Sequence, residues 1–338
     1  MQVKASDLPG LFLFVVLFPC TVSAMAVAAA CKPVVTLVET LCTQHLQGKD
    51  EVVRLAVIAL LAGGHILIED LPGLGKTTIA LALAGATGLS FGRVQCTSDL
   101  LPSDITGLSV YARESGQFRF LPGPIFNNIV LLDEINRAMP RTQSAMLEAM
   151  EEQRVTIEGV THQLPDPFLV FATQNPSDQS GTFPLPESQL DRFLICTGVG
   201  YPPDALEKAI IAGGGIRERL GGIMPLVSAE QLRAARLAVS REIYLADKVV
   251  QYIHAIVKAT RAHSGIVTGL STRAAINLAQ SGKAAAFLAG RDFVAPDDIK
   301  SIAPAVCAHR LVARIAQTTA DRGALLREII AAIPLPLA

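Results

Sequence analysis

"EDLPGLGKTT", Glu69–Thr78, is the stretch on which the reading of this chain turns. The apolar run HILIE (His65–Glu69) leads into it and has the character of a buried parallel strand. GKTTIALALAGATG (Gly75–Gly88) follows as a helix closed by a glycine. A glycine-rich turn between strand and helix lets backbone N–H groups point at phosphate oxygens, and the helix N-terminus adds partial positive charge. Pro72, Gly73, Leu74, Gly75, Lys76, Thr77 and Thr78 are therefore the candidate nucleotide-binding residues. Lys76 is suited to the β- and γ-phosphates and the Thr77 hydroxyl to Mg2+. The strict pattern, G-x-x-x-x-G-K-[ST], has glycine where this chain has Asp70. Aspartate tolerates left-handed backbone and bonds to nearby amides, so the turn survives. A carboxylate aimed at a triphosphate would oppose binding, so Asp70 is expected to face away.

A second motif tests the first. IVLLDEINRA (Ile129–Ala138) reads as an apolar strand ending in two acids. Asp133 there can hold Mg2+ through water, and Glu134 is the natural base for the hydrolytic water. ATQNP (Ala172–Pro176) ends the next apolar strand, and the Asn175 amide can position that water; the bland alternative is an Asx turn before proline. Guanine-reading sequence such as Asn-Lys-x-Asp is missing, which argues against a signalling GTPase.

The rest of the first 203 residues has the same alternation. FGRVQC (Phe91–Cys96) and DRFLICTGV (Asp191–Val199) are further strands, and TQSAMLEAMEEQ (Thr142–Gln153) is a helix with an apolar stripe. LSVYARESGQFRF (Leu108–Phe120) and QRVTIEGVTHQL (Gln153–Leu164) read as hairpins inserted into this pattern, turning at Ser115-Gly116 and Gly159. Strands alternating with helices predict an α/β fold of the P-loop kind, an open and mostly parallel sheet flanked by helices. After Tyr201-Pro202-Pro203 the signals turn helical, starting with a capping box at Ser228-Ala229-Glu230-Gln231. The expected division is an apolar extension over 1–31, a nucleotide-binding domain over 32–203 and a small all-helical lid over 204–338.

Composition narrows the classes. Lys and Arg (29) nearly balance Asp and Glu (30), and aromatics are few, so no specific nucleic-acid partner is expected. The six cysteines are widely spaced and read as small apolar residues in a reducing compartment, without metal-ligand spacing. No H-x-x-x-H pair exists, so no histidine is assigned to a metal. From Leu8 to Cys31 no residue is charged, long enough for a membrane-spanning helix. That stretch admits three readings: a dispensable extension ahead of a start at Met25, a membrane anchor, or a cleaved signal. Because ATP is cytoplasmic, the expected location is the cytoplasm, the alternative being a membrane anchor with the ATPase domain on the cytoplasmic side.

From Cys31 or Lys32 to its end the chain resembles the MoxR branch of the AAA+ ATPases. The resemblance is carried by AGGHILIEDLPGLGKT, TSDLLPSDITG, FLPGPIFNNIVLLDEINRAMPRTQSAMLEAMEEQRVTIEG, LVFATQNPSDQSGTFPLPESQLDRF, RDFVAPDDIKSIAPAVCAHRL and IPLP. It implies an oligomeric ring, usually hexameric, with ATP held between subunits. Arg192 in LPESQLDRF matches the arginine that touches a neighbour's γ-phosphate, and Arg273 in LSTRAAI matches the lid arginine that reaches the nucleotide. The family commonly has proline before that lid arginine, where Thr272 stands here. Arg137 and Arg141 are expected at the ring pore, at the next subunit or in solvent, and the two hairpins are expected contact elements for a client. The resemblance implies ATP hydrolysis coupled to chaperone-like remodelling or maturation of a protein client or cofactor-containing complex. A partner with a von Willebrand factor A domain often accompanies such proteins. The alternatives are a motor subunit of a metal-chelatase-like complex and a nucleotide-gated scaffold with little turnover.

Overall fold

A computed structural model describes residues 19–114, 116–175, 181–213, 222–315 and 318–335. Five parallel strands form the central sheet: β1 (Ile66–Glu69), β2 (Phe91–Gln95), β5 (Ile129–Asp133), β8 (Leu169–Gln174) and β9 (Ile195–Thr197), in the order β2-β5-β8-β1-β9. Every residue of β5 is buried, as expected where both sheet faces are covered. Alternation along β1 sends Ile66 and Ile68 to one core and Leu67 to the other. Both hairpins form as inserts beside the sheet: β3 (Gly107–Ala112) pairs with β4 (Gln117–Pro122), and β6 (Arg154–Ile157) with β7 (Val160–Gln163). The second turns through Glu158 and Gly159, both at positive φ. Ser115, expected in the first turn, lies outside the described residues.

The helices predicted after the phosphate loop and before the second hairpin form, and the first helix differs from expectation. Helix α1 spans Pro19–Thr40 and so crosses the expected boundary at residue 31. Val27 and Cys31 are buried, and the Cys31 thiol donates to the Phe287 carbonyl, so the turns just before Lys32 pack with the lid. Residues 1–18, which hold the first half of the uncharged stretch, lie outside the described residues. Among the described residues no helix is long and apolar enough to cross a membrane. A π-helical turn (Leu41–His45) and the Leu46–Lys49 break separate α1 from α2 (Asp50–Ala62). Next come α3 (Lys76–Thr87), α4 (Pro102–Thr106), α5 (Pro140–Glu152), α6 (Glu187–Leu190) and α7 (Asp204–Gly213).

The lid consists of α8 (Ala229–Arg241), α9 (Asp247–Ala262), α10 (Thr272–Leu288), α11 (Pro296–Cys307) and α12 (Thr319–Ala331). The expected capping box opens α8, with Gln231 N–H donating to Ser228 Oγ at 3.2 Å and Ser228 N–H to Gln231 Oε1 at 2.8 Å. Contrary to the all-helical expectation, β10 (Ile266–Thr268) pairs antiparallel with β11 (Val312–Ala313). These strands are too short to leave a two-residue period in the sequence. The lid shares one hydrophobic core with α1, α2 and α3.

Candidate active site

The carboxyl ends of β1, β5 and β8 open onto one cleft of about 390 Å³. Ligands of open α/β sheets bind at this edge. After Glu69 the chain turns through Gly73 (φ 86°) and Gly75 (φ 90°), conformations that side chains with a Cβ resist, and enters α3 at Lys76. A Cβ placed on Gly73 would meet nothing within 4 Å, so the loop is open on that side. Pro72, Gly73, Gly75, Lys76, Thr77 and Thr78 line the cleft, while Leu74 contributes to the turn without lining it. Lys76 Nζ donates to the carbonyls of Asp70 and, at 3.3 Å, Gln174. Burial pulls its pKa down, opposed by Asp70, Asp133, Glu134 and Glu69.

Across from the loop, Asp133 ends β5 and is nearly buried. Glu134 follows in the left-handed region (φ 57°, ψ 52°), a costly backbone state that clusters at functional sites. Thr173 on β8 holds this corner: Glu134 N–H donates to its hydroxyl at 2.9 Å, and the hydroxyl reaches Asp133 Oδ1 at 3.4 Å. Glu134 Oε2 pairs with Arg137 Nε at 3.1 Å, which places Arg137 beside the acids. Asn175 lines the same cleft immediately after β8. Sequence reasoning missed Arg93 and Gln95, which alternate along β2 and face the cleft. Arg93 grips Asp133 Oδ2 through Nη2 at 2.7 Å and Nε at 2.8 Å. The polar alternation in FGRVQ was the available signal.

Among the described residues no group of three or more His, Cys, Asp or Glu could hold a metal. One threonine hydroxyl and one carboxylate, Thr77 and Asp133, suit an ion held mainly by phosphate oxygens and water, as Mg2+ is. The cysteines described are free thiols. Burial, then Asp133 and Glu134, push the Cys96 thiol up to about 12, so it is inert beside the acids.

Arg192 and Arg273 do not line this cleft; they lie together elsewhere. Both pair with Glu151 near the end of α5, Arg273 Nη2 at 2.8 Å and Arg192 Nε at 3.4 Å. Arg273 Nε is also 3.9 Å from Asp191 Oδ2, and Asp191 Oδ1 accepts from the buried Arg310 Nε at 2.7 Å. Arg310 further donates to the carbonyls of Asp191, Phe193 and Leu194, locking the lid to the segment that leads into β9, and to that of Val306 within the lid itself. His309 Nε2 adds a bond to the Phe193 carbonyl at 3.0 Å. Three guanidiniums and two carboxylates leave this cluster with a net positive charge. Thr272 occupies the first helical position of α10, capped by Ser271, so the missing proline costs the helix no start.

Comparison with known proteins agrees with this architecture. Residues 65–195 match the family model of the ATPases associated with various cellular activities (AAA), and residues 258–329 match the AAA lid domain. The chain is 44% identical over 294 residues to the YeaC protein of Bacillus subtilis, covering 86% of this chain and 91% of that one. It is 38% identical over 274 residues to the chaperone MoxR1 of Mycobacterium tuberculosis, 78% of this chain and 72% of the relative. Against the MoxR protein of Methylorubrum extorquens it is 31% identical over 326 residues, 86% of this chain and 91% of the other. A solved structure from Cytophaga hutchinsonii superposes with a TM-score of 0.80 at 33% identity, covering 93% of this chain and 97% of the other.

Proposed function

The chain belongs to the MoxR family of AAA+ ATPases, and from that premise we propose an ATP hydrolase that drives chaperone-like remodelling of a client protein or complex. What carries the reading is the convergence of Lys76, Thr77, Asp133, Glu134 and Asn175 on one cleft. The loop amides and Lys76 would bind the triphosphate, and the Thr77 hydroxyl and Asp133 would hold a Mg2+ ion, whose charge would offset that of the phosphate oxygens. Glu134 takes the proton of the attacking water while Asn175 orients that water. The strained backbone at Glu134, fixed by Thr173, fits a carboxylate held in one direction.

Arg192 and Arg273 serve the cleft of a neighbouring copy. Their shared position away from their own cleft and the net positive charge of their cluster favour this reading. An arginine from outside the cleft stabilises transition-state charge without reorganising the loop. The working assembly is a homo-oligomer, a hexamer by family habit, acting on a protein client. A von Willebrand factor A domain partner is the natural candidate for recruiting that client.

Glu134→Gln should cut ATP turnover by about 100-fold or more while nucleotide binding persists. Steady-state phosphate release and equilibrium binding, measured beside the oligomer size with and without ATP, check this. Turnover untouched by the substitution removes Glu134 from the mechanism, and a monomer under all conditions removes the shared site.

A further inference from the structure

Asp70, the residue that breaks the phosphate-loop pattern, has every polar group engaged. Its N–H donates to the Gln174 carbonyl at 3.2 Å, and its own carbonyl accepts from Lys76 Nζ. Oδ1 accepts from Leu71 N–H at 2.8 Å. Oδ2 accepts from the N–H groups of Val199 and Gly200, each at 2.7 Å. The carboxylate thus turns away from the cleft, as expected, toward the chain that leaves β9 for α7.

That segment is built to receive it. A Cβ on Gly198 would stand 3.2 Å from Asp70 Oδ2 and 3.4 Å from the Glu69 carbonyl, so glycine permits the close approach. Gly200 lies at φ 68°, the backbone state in which successive N–H groups converge on an anion. From the other side Lys49 Nζ bonds the carbonyls of Gly200 at 2.5 Å and Val199 at 3.3 Å. Tyr201-Pro202-Pro203 then leads stiffly into α7, with Pro203 packed where a Cβ on Gly48 would come within 2.8 Å of its Cδ.

We propose that Asp70 is a positioning residue that couples the phosphate loop to the interdomain linker at residues 198–203. Its carbonyl and its carboxylate join two partners that must move in concert. The carbonyl is bonded to the lysine that binds phosphate, and the carboxylate to the chain that carries α7 and the lid. A shift of Lys76 toward phosphate is felt at Asp70, and Asp70 passes it to Val199 and Gly200. A glycine at this position would keep the turn and lose the connection. The inference rests on the ATPase reading above, and its test separates the two.

The full chain is compared with Asp70→Gly and Asp70→Asn, using ATPγS as the probe. Amide exchange over 198–205 is followed with and without the analogue, beside analogue affinity and ATP turnover. The intact chain should show analogue-dependent exchange in the linker. Asp70→Gly should bind ATPγS within about threefold of the parent, because the lost carboxylate faces away from the phosphates. It should lose the linker response and about tenfold in turnover, the scale of a displaced but intact site. Asp70→Asn keeps one acceptor oxygen and should fall between the two, and it decides the matter should the glycine variant not fold. An unchanged linker response without the carboxylate overturns the coupling, as do a parent with no response and a loss of analogue binding equal to that of Lys76→Ala. A parent that binds ATPγS with a full linker response but never releases phosphate refutes the hydrolase reading and leaves the coupling standing.

Discussion

The phosphate-loop cleft and the Arg192–Arg273 cluster are both rich in charge, yet they are organised in opposite ways. In the cleft, residues far apart in the chain converge: Lys76 begins α3, Asp133 ends β5, and Asn175 follows β8. Acids and bases there already have partners within the same unit, Arg93 on Asp133 and Arg137 on Glu134. In the cluster, two arginines meet at one glutamate near the surface, outside the lining of that cleft. On the reading proposed above, the cleft is a nearly complete site and the cluster supplies the half that a neighbouring copy lacks. A ring ATPase divides its chemistry in this way, because a contribution from a neighbour makes turnover depend on assembly.

The largest expected effect falls on the cleft. Lys76→Ala should remove measurable nucleotide binding, because the loop loses its only ammonium on the phosphates. Titration with a fluorescent ATP analogue checks this, and retained affinity would move the binding site elsewhere. Next comes Arg192→Ala, which should lower turnover by about 1000-fold with binding preserved, the scale of losing an arginine from the transition state. Mixing this variant with Lys76→Ala should restore activity, since each subunit supplies what the other lacks. Mixtures as inactive as their components would return both arginines to their own cleft.

Glu151→Gln should have a smaller effect, about tenfold on turnover with affinity unchanged. The carboxylate offsets repulsion between two guanidiniums, and without it they splay. Equal turnover in Glu151→Gln and parent would make that pairing incidental, as many exposed ion pairs are.

The smallest effect at neutral pH, where it is silent, concerns the frame beneath both regions. His65 is buried, accepts from Val170 N–H at 3.1 Å through Nδ1, and reaches the Met150 carbonyl at 3.1 Å through Nε2. Burial lowers its pKa to about 4, so the folded chain refuses a proton that the unfolded chain accepts below about 6.5. This contribution to stability is therefore constant above pH 6.5 and declines as pH falls from 6.5 toward 4. The decline is about 1.4 kcal/mol per pH unit within that window. His309, also lowered by burial, acts in the same direction. Urea unfolding between pH 7.5 and 4.5 measures the slope, and His65→Gln should flatten it by keeping one donor and one acceptor without titrating. An identical slope in the variant would exclude His65 as its source.

Sequence by itself determined the strand–loop–helix unit at Glu69–Thr78, the acidic strand end at Asp133-Glu134, the parallel α/β sheet and the helical lid. Each is a local pattern, written in apolar periodicity and in the few residue types that a tight turn or a phosphate permits. Arg93 and Gln95 stayed hidden because a polar residue on a strand does not announce which face it shares, and β2 reaches the cleft only through pairing with β5. The β10–β11 pair was hidden because two or three residues carry no period. The grouping of Arg192, Arg273 and Arg310 around Glu151 and Asp191 required the lid to be docked, since these residues come from four separate elements or their flanks. Only the tertiary structure showed what Asp70 bonds to. A motif scan registers a missing glycine, whereas the fold brings Val199 and Gly200, far along the chain, to within hydrogen-bonding distance of that carboxylate. Local chemistry is legible in order along the chain; which distant backbone it touches depends on how the sheet closes around it.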